Sequence, residues 1–467
     1  MRLVMKFGGS SVADGEHIRH VAEIVSQQRS LGDEIVVVTS ALGGVTDSLI
    51  GVAKRLSRVE DELKILETTI RLRDQHTQAA RDAIGDSEIV ANVEDVITLR
   101  MDELEKALIG VSHLGELTDR TLDYITSFGE RLAAPILAGA ISTLGTEAIA
   151  FTGGEIGLIT DKNFQNATPL SYAEKRIKET LLRDISRYIP VVTGFIGETE
   201  KGVITTLGRG GSDYSATIIG AAIDADEIWL WKDTSGIMSA DPRIVPDARK
   251  IPVISYVEAM ELSYFGAEVL HSRSMEPVIR KKIPLRVKNT FKPDELGTLV
   301  IEKPEKVDDV VKAITVIREC ALVNISGFGM VGVPGVAAEV FGALARKNVN
   351  IMMISQGSSE RAISILVDRK DLKKAISALD SCFPNIKKEI VHTDGVSALA
   401  IVGAGMAGTP GVAGRIFSAL GSNQINVIMI SQGSSEYNIS MVVSEVDIEH
   451  AVRVIHAEFG LGEKAVC

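Results

Sequence analysis

Leu207-Gly208-Arg209-Gly210-Gly211-Ser212-Asp213-Tyr214-Ser215-Ala216 is a glycine-rich turn that runs straight into an apolar, helix-forming stretch. It carries an arginine able to grip a carboxylate through two parallel hydrogen bonds, and an aspartate able to orient a lysine. A second turn of this kind sits at the start of the chain. Lys6-Phe7-Gly8-Gly9-Ser10-Ser11 follows a short apolar strand and precedes a helix. Its glycines let the backbone approach a phosphate closely, and free N–H groups at a helix start favour anions. Lys6 adds a positive charge toward transferred oxygens. Read without chemistry, the Lys6 stretch is a tight strand–helix turn with a surface lysine, and the Arg209 loop is a flexible turn. Neither matches G-x-x-x-x-G-K-[ST] or G-x-G-x-x-G, which lowers the P-loop and dinucleotide-binding readings.

Outward from these turns, IVVVTSA, PVVTGFI and IWLWKD are short β-rich runs followed by glycine or helix signals, the mark of α/β architecture. A long charged stretch of helical period between Gly51 and Glu116 reads as amphipathic surface helices. Glu302–Asp309, with Pro304, reads as a linker.

The last third is an internal repeat. Ile354-Ser355-Gln356-Gly357-Ser358-Ser359-Glu360 recurs as Ile430-Ser431-Gln432-Gly433-Ser434-Ser435-Glu436. The same offset carries Gly327-x-Gly329-Met330 onto Gly403-x-Gly405-Met406, and Pro334-Gly335-Val336-Ala337 onto Pro410-Gly411-Val412-Ala413. Each copy reads as strand, helix, strand, strand, helix. A further strand-like run, Ile386–Thr393, closes the first copy, whereas the second lacks its last strand. The spare run Val310–Ile317 is expected to supply it, so that one module is inserted into the other.

The 467 residues suggest two to four domains. The formal charge of −12 argues against broad binding to nucleic acid or an anionic membrane. Cys320, Cys382 and Cys467 lie far apart without metal-type spacing, which suits a reducing compartment. No signal-peptide core follows Met1 and no apolar run is long enough to span a bilayer, so the expected location is cytoplasmic.

KFGGSS, SFGERL, VTGFIG, TTLGRGGSDYSA and DTSGIMSADPR, in this order, closely resemble the aspartokinase family over nearly the whole chain. The resemblance implies an amino-acid-kinase-type αβα sandwich followed by two ferredoxin-like βαββαβ (ACT) domains. The implied boundaries are 1–301 for the kinase domain, 302–309 for the linker and 320–394 for the first ACT domain. The second ACT domain takes 310–318 plus 395–467. The implied reaction moves the ATP γ-phosphoryl, with Mg²⁺ arriving on the nucleotide, to the β-carboxylate of L-aspartate. That is the first step toward lysine, threonine and methionine. Lys6 resembles the lysine that stabilises charge on the transferring group, and Asp213 the aspartate that organises it. Ser40, Thr46, Phe195, Gly210 and Ser212 match positions lining the aspartate pocket. Glu130 matches the receiver of the substrate ammonium and Arg209 the holder of its α-carboxylate. Gly8, Gly9 and Ser10 would meet phosphates; Lys232, Asp233, Met238 and Arg243 fall on the nucleotide side. Three positions depart from the family. Lys232 replaces a usual threonine and is open either to a phosphate or to solvent. Met238 replaces a common tyrosine. His271-Ser272-Arg273-Ser274 replaces the more usual HPRT.

The physical logic agrees. An aspartate side chain, with a pKa near ~3.9, is already an anion at neutral pH and needs no general base. The obstacle is repulsion between two anions, which cations and fixed N–H dipoles relieve. In the repeat, Gln356 and Gln432 occupy equal places, preceded by Asn350-Ile351 and Asn426-Val427. The resemblance implies that these residues bind an end-product amino acid, threonine or lysine, where ACT modules pair across subunits of a homo-oligomer. The QGSSE sequence favours threonine. Alternative readings are a kinase for another small acid such as acetylglutamate or UMP, and a non-catalytic sensor. Lys6, Arg209 and Asp213 are all present, which speaks against the sensor. A fused homoserine dehydrogenase is not expected, since nothing follows the repeat.

Overall fold

A computed structural model describes residues 1–265, 270–303, 310–357, 361–382 and 388–462. Most of the expected linker, the Ser358-Ser359-Glu360 end of the first repeat motif, the start of the Ile386–Thr393 run, and the C-terminal residues including Cys467 lie outside the described residues. The chain divides into two units. The first takes Met1–Ile237, Pro252–Tyr256 and Val269–Lys303; the second takes Met238–Ile251, Val257–Glu268 and Pro304–Cys467.

The first unit begins with β1 (Arg2–Phe7), α1 (Gly15–Ser30), β2 (Glu34–Thr39) and α2 (Val45–Leu56). Next come the long helices α3 (Glu62–Ala83) and α4 (Ser87–Leu114), then α5 (Asp119–Thr126) and α6 (Phe128–Thr143). Strands β3 (Ala148–Phe151) and β4 (Ile159–Thr160), helix α7 (Ala173–Leu181), and strands β5 (Ile189–Thr193), β6 (Ile196–Thr199) and β7 (Ile204–Thr206) follow. The rest is α8 (Gly211–Ala222), β8 (Glu227–Lys232), β9 (Val253–Ser255), then, beyond α9 (Tyr256–Tyr264), α10 (Ser272–Lys281), β10 (Leu285–Asn289) and β11 (Thr298–Ile301).

Eight strands form one sheet in the order β3-β5-β2-β1-β8-β10-β11-β9, parallel from β3 to β10. Consecutive residues of β1 and β2 are buried, as expected when both faces of a parallel sheet are covered. Leu3, Val4, Met5 and Phe7 are fully enclosed, and Lys6 sits among them almost as deeply. The charged stretch is helical as expected. α3 and α4 start at Asp61 and Asp86, whose carboxylates accept backbone N–H groups of the first turn. Leu72, Ile97, Met101 and Leu104 carry their inner faces into the core.

The second unit is built on a six-stranded sheet in the order β13-β14-β12-β15-β17-β16. Its strands are β12 (Ala313–Ser326), β13 (Met353–Gln356), β14 (Ala362–Asp368), β15 (Glu389–Val402), β16 (Met429–Ser431) and β17 (Asn438–Ser444). Helices α11 (Val336–Arg346), α12 (Leu372–Asp380), α13 (Val412–Ser422) and α14 (Ile448–Glu458) complete two ferredoxin-like modules, each with its own apolar core. Here the strand count departs from expectation. Val310–Ile317 and the first strand of copy one do not stand apart: they merge into β12, and the end of copy one merges with the start of copy two in β15. Ala313–Ile317 pairs antiparallel with Ala398–Val402, and Leu322–Ser326 with Glu389–Thr393. The register shifts between, at Ile317, Cys320 and Leu322, where Glu319 and Gly395 both take positive φ. A bulge bends a ladder without breaking it, so four short runs become two long strands.

Candidate active site

The parallel strands β1, β2, β5 and β8 all deliver their C-terminal ends to one edge of the sheet. In open α/β sheets ligands bind at that edge, beside the strand from which the chain winds both ways. β1 is such a strand, flanked by β2 and β8. Thr39 O accepts the Gly194 N–H (2.8 Å), Phe7 O the Ser40 N–H (3.2 Å) and Trp231 O the Gly8 N–H (3.3 Å), so the loops leaving these strands are laced together.

Lys6 and Asp213 meet at this edge. Lys6 Nζ lies 2.6 Å from Asp213 Oδ1, each side chain 6% exposed. The other carboxylate oxygen, Oδ2, accepts from Lys232 Nζ at 2.8 Å, and Lys232 is 19% exposed. Lys232 therefore faces the site rather than solvent. Burial pushes the Asp213 carboxyl upward, but the ammonium groups of Lys6 and Lys232 outweigh it and hold it well below the usual carboxylate range. Burial lowers the Lys6 ammonium, with Asp213 opposing and Lys232 adding to the effect. Two cations share one anion, leaving a net positive charge at this edge of the sheet. A Cβ on Gly8 would lie 3.6 Å from Lys6 Nζ, so the missing side chain leaves the approach to that ammonium open.

α8 begins at Gly210, whose φ of 71° is left-handed and whose N-cap position offers no side-chain cap. A Cβ there would stand 2.5 Å from that of His271. α2 likewise starts on uncapped Gly44. Bare helix starts of this kind receive anions. The start of α1 does not. Ser11 and Val12 N–H both donate to Gly8 O, turning the chain, and α1 begins only at Gly15 with the Asp14 carboxylate accepting from His17 N–H. The expected anion cradle after Lys6-Phe7-Gly8-Gly9 is thus the turn at Gly8, Gly9 and Ser10, since a carboxylate already occupies the helix end.

Glu130, in the first turn of α6, is buried, its Oε1 accepting the Ala41 N–H at 3.3 Å. Its Oε2 is buried without a partner among the described residues. Burial raises its pKa from 4.5 to about 8, against the pull of the Ala41 N–H and Lys6. A Cβ on neighbouring Gly129 would sit 2.7 Å from Ala41 Cβ and 3.6 Å from Thr46 Oγ1, which sets Ala41 and Thr46 against the turn that carries Glu130. Phe195 takes φ 66°, uncommon for a side-chain-bearing residue, and its N–H donates to Ser215 Oγ (3.0 Å). Ser212 packs against Gly194. Arg209 is exposed and without an ion-pair partner among the described residues. Burial lowers the pKa of the neighbouring His271 ring, with the Arg209 and Arg273 charges adding to the effect and Asp213 opposing it.

Asp233 is exposed at the end of β8. Met238 and Arg243 belong to the second unit, where Met238 bridges Lys250 and Arg243 pairs with Asp241 at 2.7 Å. In the repeat, Asn350 and Gln356 are exposed at the start and end of the segment holding β13, with Ile351 half-buried. Asn426, Val427 and Gln432 bracket β16 in the same way.

Two positioning groups escaped the sequence reading. Arg273 donates to Leu207 O (3.1 Å), Ala167 O (2.8 Å), Thr168 Oγ1 (2.9 Å) and Asn166 Oδ1, and lies over the Tyr214 ring. It fixes the loop that carries Arg209. Asp123, fully buried, accepts from Thr206 N–H and Oγ1 and from Gln165. An arginine inside the His-Ser-Arg-Ser run was the visible signal for the first; nothing local marks the second.

A family model described as the amino acid kinase family matches residues 1–289, and one for the ACT domain matches 323–383 and 399–459. The chain is 36% identical over 474 residues to bifunctional aspartokinase/homoserine dehydrogenase 1, chloroplastic, of Zea mays, covering 98% of itself and 50% of that protein. It thus spans about half the length of the bifunctional relatives it matches. To aspartokinase 1, chloroplastic, of Arabidopsis thaliana it is 34% identical over 468 residues, covering 98% of itself and 80% of the relative. The solved structure of E. coli aspartokinase III in complex with aspartate and ADP superposes with a TM-score of 0.82 at 27% identity, over 98% of this chain and 100% of that one. The same enzyme in complex with lysine and aspartate gives 0.78. With the kinase sheet, the paired lysines on Asp213 and the doubled ACT module all in place, the chain belongs to the amino acid kinase family, in its aspartokinase branch.

Proposed function

We propose that the chain phosphorylates L-aspartate: the γ-phosphoryl of ATP passes to the β-carboxylate, giving 4-phospho-L-aspartate. The observation that carries this reading is the buried Lys6–Asp213–Lys232 cluster, net positive, at the same sheet edge as a buried, half-satisfied Glu130. Lys6 faces the transferring group, and Asp213 orders the two lysines. Glu130 takes the substrate ammonium and Arg209 its α-carboxylate. Ser40, Thr46, Phe195, Gly210 and Ser212 shape the pocket. Gly8, Gly9 and Ser10 meet the phosphates, with Lys232 and Asp233 on the nucleotide side. Met238 and Arg243 carry no part of this proposal. The described residues hold no cluster of three acidic or histidine ligands, and Asp213 is already engaged by two ammonium groups. The donor set therefore suits a magnesium ion held chiefly by the nucleotide's own phosphates, where it would neutralise charge on them.

The modules run 320–394 and 310–318 plus 395–467; the pairing of Ala313–Ile317 with Ala398–Val402 supports insertion of the first into the second. Asn350, Ile351, Gln356, Asn426, Val427 and Gln432 bind an end-product amino acid. The E. coli relative was solved with lysine, while the QGSSE motif favours threonine. Ile354, Ile428 and Ile430 are 42%, 39% and 46% exposed on the outer strands and their approaches, which supports pairing of these modules between copies of the chain.

The test is an assay with ATP and aspartate in which hydroxylamine traps the acyl phosphate, repeated with threonine and with lysine. Hydroxamate that falls with one effector is the expected result. None from aspartate refutes the reaction, and a signal from acetylglutamate instead moves the substrate.

A further inference from the structure

Helix α3 is apolar on two faces. Ile65, Leu72 and Ala79 face the core, but Leu63, Leu66 and Ile70 are 80%, 52% and 51% exposed. Steps of three and four residues line them up as one stripe along the outer face. α4 runs back beside α3: Arg73 meets Asp102 at 3.0 Å and Arg81 meets Glu94 at 2.6 Å. The same register brings Ile109, also exposed, to the level of Leu66. An outward apolar stripe of this kind marks an interaction face. The charges beside it are unevenly engaged. Lys64 pairs with Glu67 at 2.9 Å within α3. Glu62 and Arg71, both exposed, have no ion-pair partner among the described residues. Nine residues apart, about 13 Å along the helix, they cannot meet in their own chain.

We propose that this face pairs with the same face of a second copy of the chain, α3 against α3, antiparallel about a two-fold axis beside Leu66. In that register Leu63 packs on Ile70 of the second copy, and Glu62 meets its Arg71. Symmetry makes each contact twice. Leu66 lies against its own equivalent at the axis. One register thus serves both the apolar stripe and the two unpaired charges. A parallel arrangement would set Glu62 on Glu62 and Arg71 on Arg71. α3 is about 33 Å long and the hairpin about 20 Å wide, so the face offers roughly 600 Å² per copy. Stable pairing buries about 1,200 Å² or more in all. This surface belongs to the first unit, whereas the outer strands β13 and β16 belong to the second. It is a separate interface and does not depend on the reaction.

Leu66→Cys in the full chain tests this, with a short bismaleimide at micromolar protein. The expected yield of covalent dimer is at least tenfold that of Leu31→Cys, a position 72% exposed at the end of α1. Wild type, with its native cysteines, is the blank. Adding Glu62→Arg or Arg71→Glu alone should cut the yield about fivefold, the scale for two exposed ion pairs. Adding both should restore it, because the reversed charges pair again across the axis. An unchanged melting temperature shows that each variant is folded. A yield no higher than that of Leu31→Cys overturns the proposal and leaves the stripe to a different protein. A yield indifferent to the single reversals overturns it too, as does a double reversal that fails to recover.

Discussion

Glu130 should make aspartate binding strongly pH-dependent in a range where free aspartate's carboxylates do not titrate. Its pKa of about 8, set by burial over the opposing Ala41 N–H and Lys6, keeps it neutral in the empty site at pH 7. A substrate ammonium needs the ionised form. Binding at pH 7 must therefore expel a proton, at a cost of about 1.4 kcal/mol, or roughly tenfold in Kd, and roughly a hundredfold at pH 6. Calorimetry between pH 6 and 9, in two buffers of different ionisation enthalpy, reads both quantities. The expected Kd falls about tenfold per pH unit up to pH 8 and then levels, with about one proton released at pH 7. Glu130→Gln should bind weakly and without this slope. Stability supplies an independent readout. A carboxyl whose folded pKa is raised binds more protons in the native state, so stability is lost as pH climbs from 4.5 toward 8. Glu130→Gln should then be more stable than wild type at pH 8.5, by on the order of 3–5 kcal/mol in urea, and the difference should close toward pH 5. A Kd for aspartate that is flat from pH 6 to 8, with no proton released, would refute the reasoning.

Three further outcomes follow from named contacts. Lys312→Met removes the ammonium 3.1 Å from fully buried Glu258, which should cost about 3–5 kcal/mol in urea unfolding; adding Glu258→Gln should recover much of the loss. Arg273→Lys keeps the charge but cannot span four acceptors, so the aspartate KM should rise roughly tenfold while that for ATP holds. A Gln356→Ala, Gln432→Ala double variant should need at least tenfold more effector for half-inhibition at unchanged kcat; full inhibition at the original concentration would place the effector elsewhere.

Features written in contiguous residues were legible. The turns at Lys6 and Arg209, and the repeat at Gln356 and Gln432, each announce themselves within ten residues, and glycine's freedom at Gly210 is a local property. Pairings between distant segments were not. Lys232 was open to a phosphate or to solvent because nothing around it says that Asp213 lies 2.8 Å away. Asp123 and Arg273 act on loops far along the chain, and a lone charge in a helical stretch looks like a surface group until its partners are known. The Lys6–Ser11 turn does precede a helix, but the reading did not single out Asp14, three residues before His17, as the group that caps it. In the second unit, four strand-like runs were correctly found, yet their fusion into β12 and β15 depends on a ladder that continues through a bulge. Composition does not encode that continuity.

The charges of the empty site explain why these groups are arranged as they are. Lys6 and Lys232 against Asp213 leave one positive charge, and Glu130, protonated, adds none. Were Glu130 ionised beforehand, it would sit near Lys6 and draw that ammonium from Asp213, weakening the cluster before any phosphate arrived. Keeping it neutral reserves its charge for the substrate ammonium. The donor's phosphates and the acceptor's carboxylate then meet a site whose cations are already organised. In the proposed reaction the phosphates meet the standing positive charge of the Lys6–Asp213–Lys232 cluster, and the substrate ammonium meets Glu130. The order of events is a consequence: nucleotide binding uses the standing positive charge and needs no proton transfer, whereas aspartate binding does. The ADP Kd should accordingly vary little between pH 6.5 and 8, where the aspartate Kd changes most.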